Sequence, residues 1–152
     1  MAVRDGGPAL TIAMIDIDLF KRVNDLRSHE VGDDVLRAIG QILSRMAATV
    51  PGGVAARLSG EEFLLILPGT DEEATDGFAE AVRRSIAEHD WRPITTGIPV
   101  TVSIGVAGAP IEGQRSSKLL GVADARLYSA KRSGRNRVVR SDSMDAPSHA
   151  EG

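Results

Sequence analysis

No cysteine occurs among the 152 residues, which excludes disulfides, thiol nucleophiles and cysteine-ligated metals and suits a reducing compartment. Aromatic side chains are scarce, with one Trp, one Tyr and three Phe, so the core has to be built from Leu, Ile, Val and Ala. Positive charge is not in excess: 18 Lys and Arg against 21 Asp and Glu give a formal net charge of -3. That balance argues against a broad basic face wrapping a nucleic-acid polymer, while leaving small phosphorylated ligands open. Long apolar runs are missing too. The longest near the start, Ala9 to Ile15, contains Thr11 and ends at Asp16, far short of the roughly 20 residues of a membrane span. No basic-plus-apolar leader stands ahead of it, so neither signal peptide nor anchor is expected, and the chain reads as cytoplasmic or as the soluble end of something larger.

What is present fits one domain, because a chain of this length can bury roughly 70 % of its unfolded surface without staples. Ala9 to Ile15, bounded by Gly6-Gly7-Pro8 and Asp16, reads as a buried strand. From Leu19 the period becomes helical through Phe20, Val23 and Leu26, and a second helix carries Val35, Leu36, Ile39, Ile42, Leu43 and Met46 on one face. Pro51-Gly52-Gly53 breaks it. Val54 to Leu58 and Glu62 to Leu67 are two strands of a hairpin, and Thr70 with Glu73 predicts a capping box ahead of a helix with Phe78, Val82 and Ile86 inward. Pro99 to Ala107 reads as a strand, Ser116 or Ser117 as the cap of a helix that Gly134 terminates, and Asn136 to Arg140 as a last strand. The predicted order is β-α-α-β-β-α-β-α-β over residues 9–140, followed by a disordered tail over 141–152.

The segment RLSGEEFLLILPG, Arg57 to Gly69, places two adjacent glutamates at the mouth of an apolar strand. A solvated turn tip is the ordinary explanation for such a pair. If a right-handed crossover sets the hairpin beside the first strand, however, Asp16 and the glutamates meet at neighbouring strand ends. Three carboxylates there, Asp16, Glu61 and Glu62, need a raised pKa or a cation. Three histidines and no cysteine leave hard oxygen ligands, which suit Mg²⁺ or Mn²⁺.

Further segments accompany this one in order: Asp16-Ile17-Asp18-Leu19-Phe20-Lys21, Asn24-Asp25, His29, Gly32-Asp33, Arg57-Leu58-Ser59-Gly60-Glu61-Glu62-Phe63, Val102-Ser103-Ile104-Gly105-Val106, Ala123-Asp124-Ala125-Arg126-Leu127-Tyr128, Ala130-Lys131 and Gly134-Arg135-Asn136. Together, from about Leu10 to Val139, they resemble the GGDEF family of diguanylate cyclases. The resemblance implies an α+β, ferredoxin-like palm domain with a mostly antiparallel central sheet flanked by helices, as in nucleotidyl cyclases. It implies condensation of two GTP into cyclic di-GMP with release of two pyrophosphates, at the interface of a homodimer whose domains each hold one GTP.

Carried over by position, Asp16, Glu61 and the Ile17 carbonyl would hold two Mg²⁺ (or Mn²⁺) ions, and either Glu61 or Glu62 fits the assisting base. Lys21 would stand near the triphosphate; a solvated helix lysine is the plain alternative. Leu19 and Phe20 would offer helix-start N–H groups to a phosphate while their side chains pack. Asn24 and Asp33 would read guanine, with His29, in the loop joining the helices, near the base. Ser59 and Gly60 would form the turn against the α-phosphate, and Lys131 with Arg135 would reach the γ-phosphate. Gly108 to Gly113 has P-loop glycine spacing, but Gln114-Arg115 follow where Lys-Ser/Thr is needed.

Three departures from the family pattern carry expectations. Ser59 replaces a glycine and would be strained at positive φ. Val50-Pro51-Gly52-Gly53 stands where the family's Arg-x-x-Asp product-inhibition site belongs, so feedback through that site is not expected. The family's Asp-x-Leu-Thr-Gly-Leu-x-Asn-Arg segment and its first helix would lie ahead of Met1, so the expectation is either a fragment or a sheet face without its usual cover, exposing an apolar patch of a few hundred Å² that invites association; with no sensory or dimerising domain in the sequence, pairing of two active sites is expected to be weak. The runner-up function is a catalytically impaired GGDEF module that binds GTP or a protein partner, and a third is a palm-type cyclase acting on one nucleotide.

Overall fold

The run LTIAMIDI forms the middle strand of the sheet because it can be buried on both sides: every residue of β1 (Leu10–Ile17) after the first is buried. The computed structural model describes residues 10–109 and 116–140; the expected tail and the Gly113 end of the glycine-spaced segment lie outside them. Strands β2 (Val54–Ser59), β3 (Glu62–Pro68), β4 (Val102–Ala109) and β5 (Val138–Val139) complete a sheet in the order β2-β3-β1-β4-β5. All neighbours are antiparallel except β4 and β5. The helices are α1 (Phe20–Leu26), α2 (His29–Ala47), α3 (Glu72–Ala87), the single turn α4 (Arg92–Thr95) and α5 (Ser116–Arg132). This is the α+β, nucleotidyl cyclase-like arrangement that the sequence implied.

Strand alternation divides the core. Ala13, Ile15 and Ile17 join Phe63, Leu65 and Leu67 under α2 and α3, where Val35, Ile39, Leu43, Val82 and Ile86 supply the covering side. Ile12, Met14 and Leu64 face the other way and are covered by Leu119, Ala123 and Leu127 of α5. Asp16 continues this second parity. Its side chain therefore lies on the α5 face, opposite Glu62 on one neighbour and Ser103 on the other.

Several boundaries differ from the sequence reading. β1 runs two residues further, taking Asp16 and Ile17 into the ladder; Ala9 lies outside the described residues. The α3 cap is Asp71, whose side chain accepts from the Ala74 N–H at 2.8 Å. Thr70 is otherwise engaged, donating to Leu67 O and accepting from Thr75. α4 was not anticipated, since Pro93 inside a four-residue turn offers no periodicity, and β4 starts at Val102. The last strand is only Val138–Val139, because Arg135 and Asn136 adopt left-handed backbone at φ 64° and 49°. α5 begins at Ser116, so its cap falls outside the described residues. Val54 and Leu58, on the sheet-edge strand β2, are exposed.

Candidate active site

The corner at the end of β1 is built by two short connections. On one side β2 and β3 are joined through Gly60 and Glu61, with a bulge between Arg57 and Ser59. Gly60 alone carries the left-handed backbone of this turn, at φ 47°, and the Arg57 Nε–H donates to its carbonyl at 2.9 Å. Ser59 is not among the residues with positive φ, so the strain expected of a serine there does not arise. The Ile17 N–H reaches across to the Glu61 carbonyl at 3.2 Å, fastening the turn to the end of β1.

On the other side β1 passes into α1 through Asp18 and Leu19. Leu19 is the N-cap in left-handed conformation, φ 52° and ψ 37°, with no side-chain cap. It is about half exposed, not packed in the core, whereas Phe20 is buried. The N–H groups of the first turn of α1 are left without a capping side chain, which is the local condition for binding an anion.

Asp16 is 3 % exposed. Its Oδ2 accepts a hydrogen bond from the Lys131 ammonium at the end of α5, while its Oδ1 is buried with no partner. Burial first, then the charge of Asp16, push the Glu61 carboxyl above its ordinary range; Lys131 pulls it back and Glu62 adds to the rise. No group of three His, Asp or Glu side chains among the described residues forms a ready metal cage. Yet two close carboxylates, one with a bare buried oxygen, are the donor chemistry a hard dication takes, and the residues fit such an ion.

The remaining expected positions fall into two groups. Asn24 packs on α2: a Cβ added at Gly32 would stand 1.9 Å from its Oδ1 and 3.1 Å from the Phe20 ring, so Gly32 is what lets α1 and α2 approach. His29 is the first residue of α2, not part of a loop, behind the Ser28 cap; it and Asp33 are exposed on the first turns. Lys21 is exposed and paired with Asp25 at 3.0 Å one turn along. Arg135 follows the end of α5, its N–H bonded to Ala130 O and its guanidinium free of partners among the described residues. A groove of about 340 Å³ runs between α2 and β2, lined by Leu36, Arg37, Gly40, Ala55, Arg57 and Phe63 among others.

Residues 2–137 match the sequence family described as "Diguanylate cyclase, GGDEF domain". The chain belongs to the GGDEF family. It is 39 % identical over 130 residues to diguanylate cyclase A of Treponema denticola, covering 86 % of this chain and 34 % of that protein. It is 38 % identical over 140 residues to the response regulator PleD of Caulobacter vibrioides, covering 88 % and 30 %. This GGDEF chain thus spans about a third of the length of these curated relatives. Among solved structures, the GGDEF domain of DgcB from Caulobacter crescentus in complex with c-di-GMP matches with TM-score 0.81 and 34 % identity, covering 91 % of this chain and 81 % of that one. The active GGEEF domain of a diguanylate cyclase from Vibrio cholerae matches with TM-score 0.78 and 31 % identity, covering 87 % and 82 %.

Two features of this GGDEF domain escaped the sequence reading. Asp18 is 8 % exposed and tied to Thr101, Ser103 and Asn136; two hydroxyl residues alternating in an apolar strand, Thr101 and Ser103, were the available signal. Gly105 lies directly under α5, so close that any side chain would strike the helix backbone. Its signal was a glycine in the middle of a strand, which marks close backbone approach.

Proposed function

We propose that this domain is a diguanylate cyclase that condenses two GTP into cyclic di-GMP and two pyrophosphates, using Mg²⁺ or Mn²⁺, at the junction of two copies. The observation that carries this reading is the Asp16 corner: a bare buried carboxylate oxygen beside a glutamate whose pKa is raised by burial and by that neighbour. Asp16, Glu61 and the Ile17 carbonyl would hold the cation, which when bound neutralises phosphate charge and acidifies the attacking hydroxyl.

The chain's own groups account for the rest. The uncapped first turn of α1, at Leu19 and Phe20, offers N–H groups to a phosphate. Asn24 and Asp33 read the guanine edge, a carboxylate accepting from N1–H and the exocyclic amine together, with His29 beside the base. Ser59 and Gly60 let the hairpin backbone approach the α-phosphate. Lys131, Arg135 and, on release from Asp25, Lys21 balance the triphosphate charge. The 3′-hydroxyl of one GTP attacks the α-phosphorus of the other and pyrophosphate leaves. Glu61 or Glu62 takes the proton.

One observation favours a second reading, an impaired module that binds GTP or a partner without turnover: Lys131 already occupies one oxygen of Asp16, and among the described residues no third carboxylate completes a cage. A single assay separates the two. Concentrated protein is incubated with GTP and Mg²⁺ and the products resolved, alongside Asp16→Asn. Cyclic di-GMP formed by the parent and lost by at least about a hundredfold in the variant supports the cyclase. Unchanged GTP with measurable binding supports the module, and a cyclic mononucleotide would refute both. Because Val50-Pro51-Gly52-Gly53 fill the turn between α2 and β2 where an Arg-x-x-Asp pair would be required, no feedback by product through that site is expected.

A further inference from the structure

We infer that Asp18 is a positioning residue: it locks the left-handed turn at Arg135 and Asn136 against the end of β1 and so fixes the basic groups that meet the triphosphate. The inference rests on the triphosphate reading above. Asp16 and Asp18 sit two residues apart, yet their oxygens are spent differently. Asp16 keeps one oxygen bare. Asp18 Oδ1 accepts from the Ser103 hydroxyl at 2.6 Å, and its Oδ2 accepts from the Thr101 hydroxyl at 2.7 Å and from the Asn136 N–H at 3.0 Å. Three charge-assisted bonds engage both oxygens of a carboxylate that is 8 % exposed, which leaves it poorly placed to take a cation and well placed to hold protein.

The part it holds is strained. Arg135 and Asn136 are consecutive residues with Cβ atoms in left-handed backbone, a conformation that asparagine visits readily and arginine seldom does. The surroundings impose it from two sides. Asp18 takes the main-chain N–H of Asn136, and the Arg83 guanidinium, itself forked onto Glu80, donates to the Asn136 side-chain oxygen at 2.8 Å. Immediately before this turn α5 delivers Lys131 to Asp16, and within it stands Arg135, whose guanidinium has no partner among the described residues. An arginine with a fixed backbone and a free head group is pre-organised for an anion, since little main-chain freedom remains to be lost when the anion arrives.

The test uses α,β-methylene GTP and α,β-methylene GDP, which cannot release their leaving group, titrated calorimetrically with Mg²⁺ against parent and variants. The parent should favour the triphosphate about tenfold, the value of one charged hydrogen-bonded contact. Asp18→Ala should bring that preference close to one while changing diphosphate affinity by no more than about twofold, and adding Arg135→Ala to it should cost nothing further. Asp18→Asn should keep the preference, because the amide oxygen can still accept from the Asn136 N–H while its NH₂ donates to the Ser103 hydroxyl. Equal weakening of both nucleotides by Asp18→Ala, or additive loss in the double variant, overturns the inference and leaves the GTP reading standing. Asp18→Asn requiring more Mg²⁺, as Asp16→Asn should, would make Asp18 a cation ligand and also overturn it. A parent that binds neither analogue sinks the triphosphate reading and this inference with it. Should Asp18→Ala fail to fold, Thr101→Val with Ser103→Ala removes two of the three donors and should cut the preference by about threefold; an unchanged preference there is equally fatal.

Discussion

At Gly105 the backbone of β4 lies directly against that of α5, and filling it is the sharpest test of the packing. A Cβ placed there would stand 2.2 Å from the Ala123 carbonyl oxygen, 2.2 Å from the Leu127 nitrogen and 2.8 Å from the Arg126 carbonyl carbon. All three are helix main-chain atoms and cannot swing aside as a side-chain tip would. Ordinary contact begins at 3.4 Å, so Gly105→Ala has to lift the middle of α5 by about 1 Å, with the loss of dispersion contacts under Leu119, Ala123 and Leu127. The cost is about 2–4 kcal/mol, which for a domain of this size lowers the melting temperature by roughly 8 °C. Because α5 also carries Lys131 to Asp16, the lifted helix should weaken that contact as well. Thermal unfolding followed by circular dichroism, with Mg²⁺ titrated calorimetrically in parallel, measures both. A melting temperature within about 2 °C of the parent would show that the helix does not rest on the sheet as described.

Gly60→Ala should cost about 1 kcal/mol, because the turn needs left-handed backbone at that position although there is open space for a methyl group. Ser59→Gly should bring no gain in turnover, and a several-fold rise would mean that the serine does obstruct the hairpin. Gly32→Ala should drive Asn24 from its place against α2 and reduce discrimination between GTP and ATP by about tenfold, read from competition binding; unchanged selectivity removes Asn24 from base recognition. The Glu61 carboxyl is raised above about 4.5, so through the window just above that value the folded state binds more protons than the unfolded, and ionising Glu61 costs stability as pH rises. The advantage of Glu61→Gln over the parent in urea midpoint should therefore grow with pH across that window and shrink again when Mg²⁺ is added; a difference independent of pH refutes the burial of this corner.

Long, regular features were legible in the sequence and short tertiary ones were not. The strand at Leu10, the amphipathic face of α2 and the hairpin at Glu61 each advertise themselves through spacing, and the meeting of Asp16 with Glu61 followed from one crossover. The Thr70 capping box misled because Asp71, one residue later, is the stronger acceptor and Thr70 is drawn to Thr75 and Leu67. The left-handed conformations of Leu19 and Arg135 could not be anticipated from residues that seldom adopt them. Lys21 shows a different limit: the family resemblance implied a place near the triphosphate, whereas Asp25, one turn along on the same helix face, pairs with its ammonium.

The placing of the acidic corner on the middle strand has a consequence for how the protein fails. Asp16 is hydrogen-bonded into neighbours on both flanks, and a register slip of one residue would turn it to the opposite face. Edge strands fray; a strand locked between two others releases its amides only when the whole sheet melts. Slow exchange with solvent deuterium at Ile15 and Asp16 would then track global unfolding, so the carboxylate end of β1 should hold its register until the sheet itself melts.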